Sequence, residues 1–301
     1  MVTRRSILLP LLLGPLSPRF LLSEPQPLLS TLAALETRSR GKLGCAVLDL
    51  GKSNHTSPCI GQRAAERFPM CSTFKFLVTA YILKRTETRQ EQLDRRITYT
   101  KADLLPYSPV TQQHVSDGMT VAQLCEASMT LSDNTAANLL LSSFGGPPAL
   151  NNFLRSIGDS TTHLDRTEPA LNEAIVGDPR DTTTPAAMAE NLRRILFGDV
   201  LNFNCRADLT NWLMANKTGD ARLRAGLPHS WRIGDKTGTG EHGTTNDIAV
   251  IWPPRRAPVV VTAYLTQSPL NDSDRNAILA DVGRAITNAF TPTSTESAHY
   301  L

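Results

Sequence analysis

Apolar segments of strand length stand near the two ends of this chain and bracket a long block that reads as helix after helix. Residues 42–50 (KLGCAVLDL) are a nearly unbroken apolar run and read as a buried strand. Residues 231–236, 246–252 and 258–266 are short, rich in Val and Ile, and bounded by Gly and Pro. They read as adjacent antiparallel strands. Between these ends, residues 72–85 are apolar nearly all round and predict a core helix. Further helices are expected at 120–129, with Thr120 as cap, at 134–144, stopped by Gly145-Gly146, and at 148–157. Others are expected from Pro185, a favoured first helical residue, to about 197, then at 208–215 and at 274–290. Residues 159–182 show no sustained period, and a loop of that length in a compact domain is often functional.

The fold class that satisfies this layout is α+β. An antiparallel sheet is built from both chain ends and covered by helices, with an all-α domain inserted. The expected division is residues 29–70 and 215–291 for the α/β domain and 71–214 for the all-α domain, with a site in the cleft between them. Residues 1–28 read as an export signal: Arg4-Arg5 precede a short apolar run broken by Pro10, Gly14 and Pro15. Thr3-Arg4-Arg5-Ser6-Ile7-Leu8 also resembles a twin-arginine address. That run is short for a bilayer span, so no stable membrane anchor is expected, and the protein is expected in the periplasm or secreted.

A net charge of +3 without any Lys/Arg block argues against a nucleic-acid partner. The six histidines are dispersed and form no His-x-His or His-Glu-x-x-His pair, so no metal is expected. Five cysteines, an odd count, leave at least one thiol without an intrachain partner. Cys71 lacks the nearby His that a thiol nucleophile needs.

Four short segments carry the chemistry. Ser72-Thr73-Phe74-Lys75 places a hydroxyl and an amine three residues apart on one helix face, near an N-terminus that favours developing negative charge. The apolar helix around Lys75 would push it toward the neutral amine, a base for Ser72. Ser132-Asp133-Asn134 offers a second hydroxyl and a carboxamide, or simply a helix cap. Glu168, with Asn172 four residues on, lies in the long loop and can hold a water. Lys236-Thr237-Gly238 puts a cation beside a glycine at the end of a strand, where a plain turn is the bland alternative. Singly each segment is weak. Together, and in this order, they describe one site.

Ser-x-x-Lys with Ser-Asp-Asn and Lys-Thr-Gly is the signature of class A β-lactamases and penicillin-binding proteins. The chain resembles a class A serine β-lactamase from about residue 30 to 290. Phe68-Pro69-Met70-Cys71, Asp181-Thr182-Thr183-Thr184-Pro185 and Asp235 extend the resemblance. It implies hydrolysis of the β-lactam amide bond of penicillins and cephalosporins through a serine acyl-enzyme, with no cofactor, by a monomer. It implies Ser72, Lys75, Ser132 and Glu168 as catalytic residues and Asn172 as the water-positioning partner. Asn134, Lys236, Thr237, Gly238, Thr239, Arg222 and Tyr107 would bind substrate, and backbone N–H groups of Ser72 and Thr239 would form the oxyanion hole. By resemblance, Arg166 and Asp181 close the long loop and Glu168-Pro169 is a cis peptide.

Departures from the family pattern are visible too. Thr245 occupies the region where many members carry an arginine, and Arg222 is the candidate to supply that charge. Cys125 stands where some relatives have half of a disulfide, but the partner position is Thr79, so that bridge should be absent. No cysteine near Gly240 faces Cys71. The rival readings are a D-alanyl-D-alanine carboxypeptidase or transpeptidase and a non-hydrolysing penicillin sensor. The first would lack the Glu168/Asn172 water site, and the second would need a membrane-spanning segment.

Overall fold

The computed structural model describes residues 26–51 and 59–291. The expected export signal falls outside that range apart from its C-terminal edge, which opens the first helix. Five strands form one antiparallel sheet: β1 (Lys42–Asp49), β2 (Ile60–Gln62), β3 (Arg232–Gly240), β4 (Thr244–Trp252) and β5 (Val259–Thr266). Their spatial order is β2-β1-β5-β4-β3, so the two chain ends meet at the β1–β5 pairing, in register Lys42 to Thr266 through Asp49 to Val259. The sheet is therefore assembled across the helical block, as the layout of apolar runs required.

Side chains alternate between two cores with a period of two. Leu43, Cys45, Val47, Ala249, Ile251, Val261 and Leu265 face a layer made by α1 (Gln26–Ser39) and α8 (Asp272–Phe290). Leu28, Leu32 and Leu35 of α1 and Ile278, Val282 and Ile286 of α8 recur at helical spacing to meet them. Ala46, Leu48, Ile248, Val250, Val260 and Tyr264 face the other way, into the helical block.

That block is built round α2 (Phe74–Glu87), whose residues 74–80 are all buried. α3 (Val121–Thr130), α4 (Asn134–Ser143), α5 (Gly146–Ser156) and α7 (Phe203–Met214) pack against α2. α6 (Pro185–Phe197) lies on β1 and β5, tied there by Thr262 Oγ1 donating to Pro185 O at 2.9 Å. The expected cap on α3 is present, Thr120 and Gln123 forming a reciprocal capping box, and Thr184 caps α6 ahead of Pro185. α7 begins five residues earlier than its apolar pattern suggested, because the Asn202 side chain accepts the Cys205 N–H at 3.0 Å and starts the helix there.

The strand expected at 231–236 runs on to Gly240, so Lys236-Thr237-Gly238 lies within a strand, not at its end. Among the described residues β3 is an edge strand, with no strand partner on its outer side. All five cysteines carry free thiols, and only Cys59 is exposed. Among the described residues no helix is long and apolar enough to cross a membrane.

Candidate active site

Ser72 sits in a 3-10 turn, Cys71–Thr73, that feeds directly into α2. The turn is set by Cys71 at φ 45°, in the left-handed region. Asn246 on β4 holds it from below, its Nδ2 donating to Pro69 O at 2.8 Å and Met70 O at 3.1 Å. Tyr107, Ser132 and Asp181 are also non-glycine residues at positive φ. With Cys71 they are four of the eleven non-glycine residues at positive φ among the described residues, and the other seven lie elsewhere along the chain.

The carboxylate of Glu168 is the centre of the arrangement. Ser72 Oγ donates to Glu168 Oε1 at 3.0 Å, and Lys75 Nζ lies 3.0 Å from the same oxygen. The contact expected between Ser72 and Lys75 is thus made through the carboxylate. Asn172 Nδ2 donates to the other oxygen, Oε2. Asn172 Oδ1 is buried and has no hydrogen-bond partner, which leaves an acceptor beside Glu168.

Lys75 is fully buried and also donates to Ser132 O at 2.8 Å and Asn134 Oδ1 at 2.7 Å, with Ser132 Oγ at 3.3 Å. Burial pushes its ammonium below the usual lysine range, against the attraction of Glu168. Lys236 Nζ reaches Ser132 Oγ at 3.0 Å from the other side. Its pKa is driven well down by burial and by the neighbouring cations Lys75 and Arg222. Ser132 therefore stands between two desolvated amines. Cys71 is buried and its thiol is pushed up, so it stays protonated and inert.

The loop that carries Glu168 is pinned at its ends and in its middle. Arg166 Nε meets the buried Asp181 Oδ2 at 2.6 Å, while Asp181 Oδ1 accepts the N–H groups of Asp165 and Arg166, both at 2.8 Å. Asn138 clamps the main chain of Glu168 itself, donating to its carbonyl at 2.9 Å and accepting its N–H at 3.1 Å. Glu168-Pro169 is cis.

On the sheet side, Thr237 Oγ1 pairs with Thr218 Oγ1. Arg222 is buried; it donates to Gly238 O at 2.8 Å, Asn246 O at 2.7 Å, Thr239 Oγ1 at 2.7 Å and Asn276 Oδ1 at 2.9 Å. It thus places a guanidinium behind Thr237–Thr239. The sequence did not suggest Arg275, which comes from α8 and donates to Thr245 Oγ1 at 3.0 Å. Tyr107 is 61% exposed at the rim, and its carbonyl accepts the Asn134 N–H at 3.0 Å. Thr218, Asn138, Asn246 and Arg275 are the residues near the site that motif reading missed. For Asn138 a signal existed: it lies four residues after Asn134, hence on the same helix face. Among the described residues no group of His, Cys, Asp or Glu is arranged to hold a metal.

Residues 27–290 match the model of the Beta-lactamase enzyme family. The chain is 48% identical over 259 residues to Beta-lactamase CTX-M-8 of Citrobacter amalonaticus, covering 86% of this chain and 88% of that protein. It is 50% identical over 253 residues to Beta-lactamase L2 of Stenotrophomonas maltophilia, covering 84% and 82% respectively. Among solved structures it is similar to an ancestral (GNCA) class A β-lactamase, with 64% identity and a TM-score of 0.85 over 87% of this chain and all of the other.

Proposed function

We propose roles for the individual residues from one premise: this chain belongs to the β-lactamase enzyme family and is a class A serine β-lactamase, a hydrolase that confers resistance to β-lactam antibiotics. The reading is of a two-step reaction on penicillins and cephalosporins. In acylation, Ser72 Oγ attacks the lactam carbonyl and the C–N bond breaks. The serine proton passes into the Glu168/Lys75 pair, and Ser132, touched by both Lys75 and Lys236, returns a proton to the departing nitrogen. The N–H groups of Ser72 and Thr239 steady the oxyanion.

In deacylation, Glu168 takes a proton from a water that Asn172 helps to hold, and the hydroxide attacks the Ser72 ester. The observation that carries this reading is the buried Asn172 Oδ1 without a protein partner, set against a carboxylate already in contact with Ser72. A transpeptidase has no use for such a water-holding pair.

Lys236, Thr237 and Gly238 face the carboxylate of the substrate, with Arg222 lending charge from behind; Thr239, Asn134 and Tyr107 line the side-chain end. Replacing Arg222 with Gln removes a buried cation whose hydrogen bonds are worth about 1.5–3 kcal/mol each. The expected result is a fall in kcat/KM for benzylpenicillin of about ten- to a hundredfold, carried mostly by KM. An unchanged KM would remove Arg222 from the binding site.

This reading places the reaction at the seam between a two-segment α/β lobe (29–70 and 215–291) and a helical lobe (71–214). It has the protein act as a monomer, as the family resemblance implies, after export to the periplasm or beyond, on the strength of the basic start and short apolar run. Because every step uses side chains of the chain itself, hydrolysis of benzylpenicillin and of a chromogenic cephalosporin should proceed at full rate in excess chelator. Complete loss of activity on chelation, restored by a divalent metal, is the outcome against it.

A further inference from the structure

A cavity of about 710 Å³ lies at the far end of α2 from Ser72, and none of the residues assigned above lines it. That volume is within the range of small-ligand sites. Its floor is aromatic: the rings of Tyr81 and Phe153 stack with centroids 4.7 Å apart and planes 15° from parallel. Its walls are cationic, with Lys84, Arg85, Arg193 and Arg194 against one carboxylate, Asp199. Glu87 and Glu190, which pair with three of those cations, are not among the lining residues.

Arg85 differs from the other three. It makes no ion pair among the described residues; its terminal nitrogens donate to Gln90 Oε1 at 3.5 Å and to Gln90 O at 3.1 Å, and its Nε is buried without a hydrogen-bond partner. Its guanidinium lies 5.8 Å from the centre of the Tyr81 ring. Lys84 and Arg85 stand in the last turn of α2, where cations offset the helix dipole. That accounts for their charge. It does not account for a stacked aromatic floor beneath an open cavity, or for a buried donor left without an acceptor.

We infer that this cavity is a second small-molecule site, for an aryl carboxylate. The flat apolar body would lie against the Tyr81–Phe153 pair, and the carboxylate would pair with the Arg85 guanidinium, the one wall cation without a carboxylate partner among the described residues, together with the arginines of α6, by the charge-assisted pairing that arginine favours. The site is bounded by α2, which begins just after the nucleophile, and by α5 and α6, the helices on either side of the loop that holds Glu168.

The test titrates 2-naphthoate into the wild-type enzyme by calorimetry, with 2-naphthamide as the uncharged analogue. Arg85→Gln should weaken 2-naphthoate at least tenfold, Ser156→Trp should abolish its binding by filling the cavity, and the amide should bind at least tenfold more weakly than the acid. Both variants should keep kcat/KM for benzylpenicillin within twofold, which also shows that they fold. Should the tryptophan variant not fold, the arginine variant and the amide still decide. Absence of 2-naphthoate binding at millimolar concentration overturns the inference. So does equal affinity in Arg85→Gln, equal affinity of the amide, or competition by benzylpenicillin that places the ligand in the hydrolytic cleft.

Discussion

Ser72→Ala is expected to reduce kcat for penicillin hydrolysis by about 10⁴–10⁶-fold, the scale on which removal of a serine nucleophile acts when the rest of its machinery stays in place. Ser72 is 9% exposed and its side chain makes one hydrogen bond, to Glu168 Oε1, so loss of the hydroxyl costs the fold little. Lys75 keeps its contacts with Ser132, Asn134 and Glu168, and the turn that presents position 72 is held by Asn246 and not by the hydroxyl. The variant should therefore melt close to the wild type and still bind penicillin while turning it over negligibly. Steady-state assay with thermal melting checks both halves. Residual turnover within a hundredfold of wild type would mean that the nucleophile lies elsewhere.

Glu168→Gln is the second large effect. The amide is isosteric, and its oxygen can still accept from Lys75 or Asn172, but it cannot take a proton from water. Loss of a positioned general base costs about 10²–10⁴-fold. The loss should fall mainly on the breakdown of the acyl-enzyme. A fast stoichiometric release of product, followed by a rate near zero, is the expected progress curve. If instead the first turnover slows as much as later ones, Glu168 is needed equally to form the ester, and the proton of Ser72 leaves by way of that carboxylate.

The two predictions rest on parts of the molecule that the sequence revealed to different degrees. Ser72 and Lys75 were legible because three residues on a helix fix a relation in space whatever the rest of the chain does. The sheet was legible for a similar reason, since a Leu-rich run of strand length near one chain end and Val- and Ile-rich runs near the other flank the helical block. Glu168 was legible as a residue but not as a position. Its loop has no period, and what brings its carboxylate to 3.0 Å from Ser72 is a set of side chain to main chain contacts. Asn138 makes two of them, and its place on the Asn134 face of α4 hints at the site but not at these contacts.

Arg166 and Asp181 supply the remaining restraint, and they are adjacent only because the loop returns on itself. Arg275 was invisible for another reason: it meets Thr245 across 30 residues and from a separate helix, a relation that no local pattern encodes. The continuation of β3 through Lys236-Thr237-Gly238 was misread because its two glycines, Gly238 and Gly240, resemble a turn. They are tolerated in the strand because the space above them is taken: a Cβ on Gly238 would lie 2.8 Å from Met70 O, and one on Gly240 2.6 Å from Cys71 Sγ.

The claim on which the rest depends is that the Glu168 carboxylate delivers water to an ester formed at Ser72. The most direct measurement mixes the Glu168→Gln protein with benzylpenicillin, quenches within seconds, and weighs the intact chain before mapping its peptides. The account predicts a single added penicilloyl mass, located on Ser72 and persisting long after free drug is removed. An unmodified protein that still consumes the drug at the wild-type rate, or an adduct on any other residue, would contradict it.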